Sequence, residues 1–221
     1  MIEQHQDPRY QAIPDDFDIN HNDNPEEIQM RVYFDLETSG LNEWKHSITQ
    51  AAFFCPHTQE QLELKIQFDE NEADPKALEI NHYNRDVWQR EAVMVHAAVE
   101  RISDYLRRHA CVEKISKKTG KPYQVAQLCA YNGKKFDGPF LQAWFRKQNA
   151  FLAADYKILD TLALAEFMLP HLESHKLEVV AKELGCFRDG AHDAMIDVFM
   201  LCDVTQTLET RINYKESAPC S

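Results

Sequence analysis

The 221-residue chain carries 36 acidic against 24 basic side chains, a formal net charge of −12, and 44% of its residues are hydrophobic. That length and apolar content suit one ordinary domain with a real core. No apolar run approaches a membrane span, the polar start MIEQH is not a secretory signal, and six scattered cysteines without a CxxC pair read as reduced core residues of a cytoplasmic protein.

The charge is unevenly spread. Residues 1–30 hold eight acids and one arginine, a balance of −7, which leaves −5 for everything after them. Between 107 and 121, Arg107, Arg108, Lys114, Lys117, Lys118 and Lys121 face only Glu113, so this stretch carries +5. The total speaks against a polyanionic partner; the distribution permits one.

Residues 1–29 are polar, contain Pro8, Pro14 and Pro25, and follow neither helical nor strand period. They predict an irregular acidic arm, either a solvated tail or a surface for a protein partner. The domain proper is expected over 30–210, with 211–221 as a tail.

The stretch 31–42 (RVYFDLETSGLN) opens as a β-branched and aromatic strand and ends in Asp35 and Glu37. Strand residues at i and i+2 share a face, so both carboxylates converge on one spot before Thr38-Ser39-Gly40 turns the chain. Like charges that close repel, and buried carboxylates demand a partner, most simply a divalent cation. Alone, the pair fits a solvated strand-to-turn junction better than a metal site. The metal reading needs more acids elsewhere.

A second strand is predicted over 47–55 and a third over 61–68, where Leu62, Leu64, Ile66 and Phe68 share one face. The short link 56–60 makes them an antiparallel hairpin. Asp74-Pro75 opens a short helix over 76–81, and apolar spacing predicts one long amphipathic helix over 86–108. The basic segment 114–122 reads as a loop, either a solvated turn or a phosphate contact through Lys117 and Lys118. Another strand follows over 125–131, then the Asn132-Gly133 turn and a helix over 139–148. A fifth short strand over 156–159 leads into a helix over 162–168 capped by Asp160-Thr161, then a helix over 176–184 stopping at Gly185. The last helix spans 192–208. This order predicts a mixed α/β sheet of five strands with helices on both faces.

Two further acids lie where strands end or helices run. Asp137 follows a strand and precedes a helix, and Asp197 sits in the last helix among Met195, Ile196, Val198 and Phe199. His192 stands near the start of the same helix. Four carboxylates and one histidine so distributed make a coherent two-metal hydrolase site.

Residues 34–41 (FDLETSGL), 132–137 (NGKKFD) and 192–197 (HDAMID) resemble, in order and spacing, the three exonuclease motifs of the DnaQ-like DEDDh family. The likeness runs over about 30–210, and the segment 160–165 (DTLALA) is also similar to that family. Asn132-Gly133 with 136–141 (FDGPFL) is particularly similar to Trex-type DNA exonucleases. Tyr131 departs from the pattern, since many relatives carry histidine before the asparagine.

The resemblance implies a ribonuclease H-like fold and 3′→5′ removal of nucleotides as 5′-monophosphates from single-stranded nucleic acid, DNA favoured over RNA. It implies two Mg²⁺ or Mn²⁺ ions held by Asp35, Glu37, Asp137 and Asp197. Asp35 would be shared, Glu37 and Asp197 would complete one ion, and Asp137 would support the second. His192 is then the general base, whose imidazole titrates near neutral pH. Thr38, Leu41 and Asn132 become contacts to the substrate, with Leu41 under the terminal base.

Rival readings are weaker. An HD-type phosphohydrolase built on His192-Asp193 needs an all-α fold, and a zinc module on His171 and His175 lacks cysteine partners. An RNA exonuclease of the same fold remains an alternative. A non-catalytic nucleic-acid-binding subunit predicts a missing acid, and none is missing.

Overall fold

A computed structural model describes residues 30–190 and 193–216, so the acidic arm 1–29, His192 and the end of the tail lie outside the described residues. The sheet is organised around β1 (Arg31–Thr38), which takes both acids into the strand itself. Its residues Val32, Phe34 and Leu36 sink into the larger core, while Tyr33 joins a second core. Asp35 and Glu37 share the parity of Tyr33, so the period of two aims them at that second face.

β1 pairs antiparallel with β2 (Ile48–Cys55), which is buried along its whole length as a central strand should be. Phe34 and Phe53 stack across that pair with ring centroids 5.8 Å apart. The expected hairpin holds: β2 pairs antiparallel with β3 (Glu60–Lys65), although β3 ends before 68. On its other side β1 runs parallel to β5 (Pro122–Ala130), with Val32 opposite Leu128.

The mixed α/β sheet and its two helical faces are as expected, but the strand count is six rather than five. The order is β3-β2-β1-β5-β4, with β6 (Leu159–Asp160) also paired to β5. The additional strand is β4 (Ala110–Ile115), antiparallel to the first half of β5. The basic segment is therefore a β-hairpin whose turn carries Lys117 and Lys118. Lys114 belongs to β4 and binds the Asp155 carboxylate at 2.7 Å.

The single long helix is also corrected. α1 (Pro75–Ile80) is followed by α2 (Arg85–Glu91) and α3 (Val95–Arg108), with an extended break between the last two. There Val93 N–H donates to the Lys65 carbonyl at 2.9 Å, and Gln67 N–H donates to the Val93 carbonyl at 3.0 Å. Val93 and Val95 both pack on the larger core, so the apolar spacing runs through the break unaltered.

α3 and α4 (Asp137–Lys147) cover one face of the sheet through Ile102, Leu106, Leu141 and Phe145. α7 (Ala194–Glu216) covers the other, and packs in turn on α5 (Thr161–Met168) and α6 (Leu177–Leu184). α6 stops at Gly185, whose φ of 77° is the left-handed cap that favours glycine. α7 runs past the boundary drawn at 210. Among the described residues no helix is long and apolar enough to cross a membrane.

Candidate active site

Because β1 and β5 are parallel neighbours, their C-terminal ends deliver the first two motifs to the same edge of the sheet. α7 brings the third motif from the opposite layer. Its first turn is fixed by Asp193, whose Oδ1 accepts from Met195 N–H at 3.2 Å and Ile196 N–H at 3.4 Å. One turn on, Asp197 meets the strand acids: carboxylate oxygens of Asp35, Glu37 and Asp197 all lie within 4.8 Å of one another. This is the one such group of metal-ligating side chains among the described residues.

Asp137, the first residue of α4, is 4% exposed and stands outside that triad. The backbone N–H groups of Asp137 itself and of Leu36, the residue between the two strand acids, favour its ionised form.

Crowding in a dry place governs the electrostatics. Burial, then Asp137, Glu37 and Asp197, hold the Asp35 carboxyl well above the usual range. Burial, then Asp197, Asp137 and Asp193, push Glu37 up to about 8. Asp137 is pushed up to about 7 by burial, with the nearby N–H groups of Asp137 and Leu36 pulling down and Asp160 pushing up. Each acid is perturbed in the sense expected for carboxylates desolvated together.

The donor set tests whether a metal fits. All the converging atoms are carboxylate oxygens, which suits Mg²⁺ or Mn²⁺ rather than a thiolate-seeking metal. Two opposite oxygens on Mg²⁺ stand about 4.2 Å apart, twice the metal–oxygen distance. The oxygens of the triad, within 4.8 Å of one another, need to close only slightly to share an ion.

The connection 131–137 is held by a residue read from the sequence only as a helix cap. Asp160 accepts from Leu162 N–H at 3.2 Å as that cap, and also from Asn132 N–H at 2.9 Å and Lys134 N–H at 3.2 Å. Asn132 adopts a φ of 58°, a left-handed conformation that asparagine tolerates. Gly138 lies against Ile158 and the Gly133 carbonyl, where a Cβ would collide. Its N–H bonds that carbonyl at 2.8 Å. Tyr131, where relatives carry histidine, donates its hydroxyl to the His175 carbonyl at 2.6 Å, tethering this connection to the chain ahead of α6.

The remaining expected residues divide. Thr38 is buried, its hydroxyl donating to the Gly40 carbonyl at 2.8 Å, and Leu41 is 80% exposed in the loop after β1. Asn132 is half-buried at the end of β5. Lys117 and Lys118 sit in the turn that enters β5, while the acids lie beyond its exit, about 25–30 Å away along the strand. The structure does not bring them to the carboxylates. His192 lies outside the described residues. His171 and His175 engage separate partners, Glu183 at 3.1 Å and the Leu169 carbonyl at 2.9 Å.

Known proteins share this fold. The RNase_H superfamily model matches residues 94–198, which include Asp137 and Asp197 but not β1. The exonuclease DPD1, chloroplastic/mitochondrial, of Arabidopsis thaliana is 35% identical over 94 residues, covering 40% of this chain and 30% of that protein. Escherichia coli exonuclease I in complex with a dT13 oligonucleotide superposes with a TM-score of 0.67 at 18% identity, covering 85% of this chain and 42% of that one. Exonuclease I from Methylocaldum szegediense gives a TM-score of 0.61 at 16% identity, covering 81% and 40%.

These comparisons show the ribonuclease H-like fold, shared with exonuclease I, and a likeness to the RNase_H superfamily over 94–198. The chain spans less than half the length of the relatives it matches.

Proposed function

We propose that the protein hydrolyses nucleic acid from the 3′ end, preferring single strands and DNA over RNA, and releases nucleoside 5′-monophosphates. The observation that carries this reading is the convergence of Asp35, Glu37 and Asp197 within 4.8 Å at the edge of this sheet. That a relative of the same fold is known with a dT13 oligonucleotide supports a single-stranded partner.

Asp35, Glu37 and Asp197 would hold one divalent cation, and Asp137, with Asp35 shared, would support a second. Bound there, Mg²⁺ or Mn²⁺ supplies Lewis acidity and neutralises charge building on the phosphate. The chain's own residues do the rest. Thr38, Leu41 and Asn132 seat the terminal nucleotide, the exposed side chain of Leu41 lying under a base freed from its stack. His192, one residue ahead of the α7 cap, takes the proton from the water that attacks phosphorus. The 3′ oxygen of the preceding nucleotide leaves. The compartment proposed is the cytoplasm, on the buried thiols Cys55, Cys129 and Cys202, of which burial pushes Cys129 up to about 11. The acidic arm is offered as the surface for a protein partner.

Matched end-labelled DNA and RNA oligonucleotides in Mn²⁺ test the reading. Mononucleotides should appear from a 3′-hydroxyl end of single-stranded DNA, and a 3′-phosphate should slow their release. A 3′-phosphorylated strand degraded as fast contradicts the polarity. Faster loss of RNA points to the ribonuclease alternative, and binding without cleavage to a non-catalytic subunit.

A further inference from the structure

The loop joining β1 to β2 is rigidly built yet presents two large apolar side chains to water. Its base is closed by Ser39 N–H on the Ser47 carbonyl at 2.8 Å and Ser47 N–H on Ser39 Oγ at 2.9 Å. Inside it, Asn42 Oδ1 accepts from Trp44 N–H at 2.9 Å and Lys45 N–H at 3.1 Å, while Asn42 N–H donates to His46 Nδ1 at 3.0 Å. The His46 ring lies flush on Gly40, whose φ is 155° and where an added Cβ would stand 2.5 Å from the imidazole. From the end of α4, Lys147 donates to the His46 carbonyl at 3.4 Å. A loop held this way does not fold its indole inward: Trp44 is 60% exposed and Leu41 80% exposed.

We propose that Trp44 is a stacking platform for a base of the substrate strand upstream of the terminal nucleotide. The inference rests on the reading that the acidic site acts on nucleic acid. The loop continues directly from Thr38, one residue beyond Glu37, so it begins at the carboxylate end of β1. Lys45 follows the tryptophan in the chain, with Glu43 before it, and Lys147 donates to the loop at the His46 carbonyl, so the loop carries cations suited to the intervening phosphates. An aromatic face beside cations is what a single strand of any sequence recognises, because every base has a π face. The occupant is therefore single-stranded nucleic acid rather than a protein helix.

Tryptophan emission tests this without turnover. Trp88 and Trp144 are 8% and 4% exposed, so Trp44 is the tryptophan that a bound strand reaches. Titrating the full chain with a thymidine decamer in Ca²⁺ should quench emission, and Trp44→Leu should abolish that quenching. In Mg²⁺, Trp44→Ala should raise KM for the decamer roughly 5- to 150-fold, the range of one base–aromatic stack, with a smaller change in kcat. Trp44→Phe should recover most of the loss. A decamer bound by anisotropy with unquenched wild-type emission, or an unchanged KM in Trp44→Ala, would overturn the proposal. If the underlying reading is what fails, the wild type neither binds the decamer nor hydrolyses thymidine 5′-(p-nitrophenyl phosphate), an outcome separate from an active enzyme with a silent indole.

Discussion

Glu37 illustrates what the site demands of a single side chain. It is ordinary strand sequence, yet burial and three acids, Asp197 first among them, raise its carboxyl to about 8. Each unit of such a shift is about 1.4 kcal/mol of differential interaction, so the ionised form destabilises the metal-free fold by roughly a few kcal/mol. Glu37→Gln keeps shape and removes the charge. The metal-free variant should melt higher than wild type at pH 8, by about 2–4 °C for each kcal/mol relieved. Activity should be lost, and Mn²⁺ should no longer raise the melting temperature. A variant that melts lower without metal would mean that Glu37 stabilises the fold rather than straining it. Trp44 makes a different point about single residues. Nothing in 42–46 (NEWKH) distinguishes an exposed indole from a buried one; only the hydrogen bonds of Asn42 and His46 turn it outward.

At the scale of elements, the connection from β5 to α4 depends on Asp160 at the end of β6. Its carboxylate gathers three backbone N–H groups, two of them in the connection that ends at Asp137. Asp160→Ala should weaken divalent-ion affinity and lower kcat by about 10–100-fold, as loss of a supporting partner does at metal sites. It should also cost about 1 kcal/mol of stability for the lost cap. Asp160→Asn, which keeps the Oδ1 acceptor, should recover most of both. Calorimetric ion titration distinguishes positioning from capping alone: a variant that melts lower but binds Mn²⁺ normally would leave only the cap. Much of this architecture was legible in the sequence. Asp35, Glu37 and Asp197 announce themselves by parity in a strand and by an acid set among apolar helix neighbours. The break between α2 and α3 was not legible, because Val93 is apolar in either conformation and changes only its backbone partner. β4 was hidden by lying at the edge, where Glu113 and Lys114 are tolerated and no alternation develops. The role of Asp160 was hidden because one carboxylate serves both a cap and a loop from 26 to 28 residues away.

Across the whole molecule the titrating groups fall into two sets, and their opposed signs predict how stability varies with pH. Glu70, held by the Arg85 and Tyr83 hydrogen bonds, and Glu91, held by Arg90, lie below the ordinary range. Asp155 joins them, since Lys114 and the Lys157 N–H outweigh its burial. Such groups contribute stability above their unfolded values and lose it as pH falls into the acid range. The converging acids of the candidate site act in the other direction. Asp137 rises from 3.8 to about 7 and Glu37 from 4.5 to about 8, so the folded state binds more protons than the unfolded one between about pH 4 and 8. Their stabilising protonated form is fully present below the unfolded values and is lost as pH rises through the folded ones. The metal-free protein should therefore be most stable near pH 5 and melt progressively lower toward pH 8. Divalent ions bind the deprotonated carboxylates, so the stabilisation by Mg²⁺ or Mn²⁺ should grow over the same interval. Melting curves at pH 5, 6, 7 and 8, with and without Mn²⁺, check both trends in one series. A flat metal-free profile with a constant Mn²⁺ increment would mean that the carboxylates do not crowd one another in solution. A falling profile that Mn²⁺ levels would tie the cost of folding these acids together to the ion they converge on.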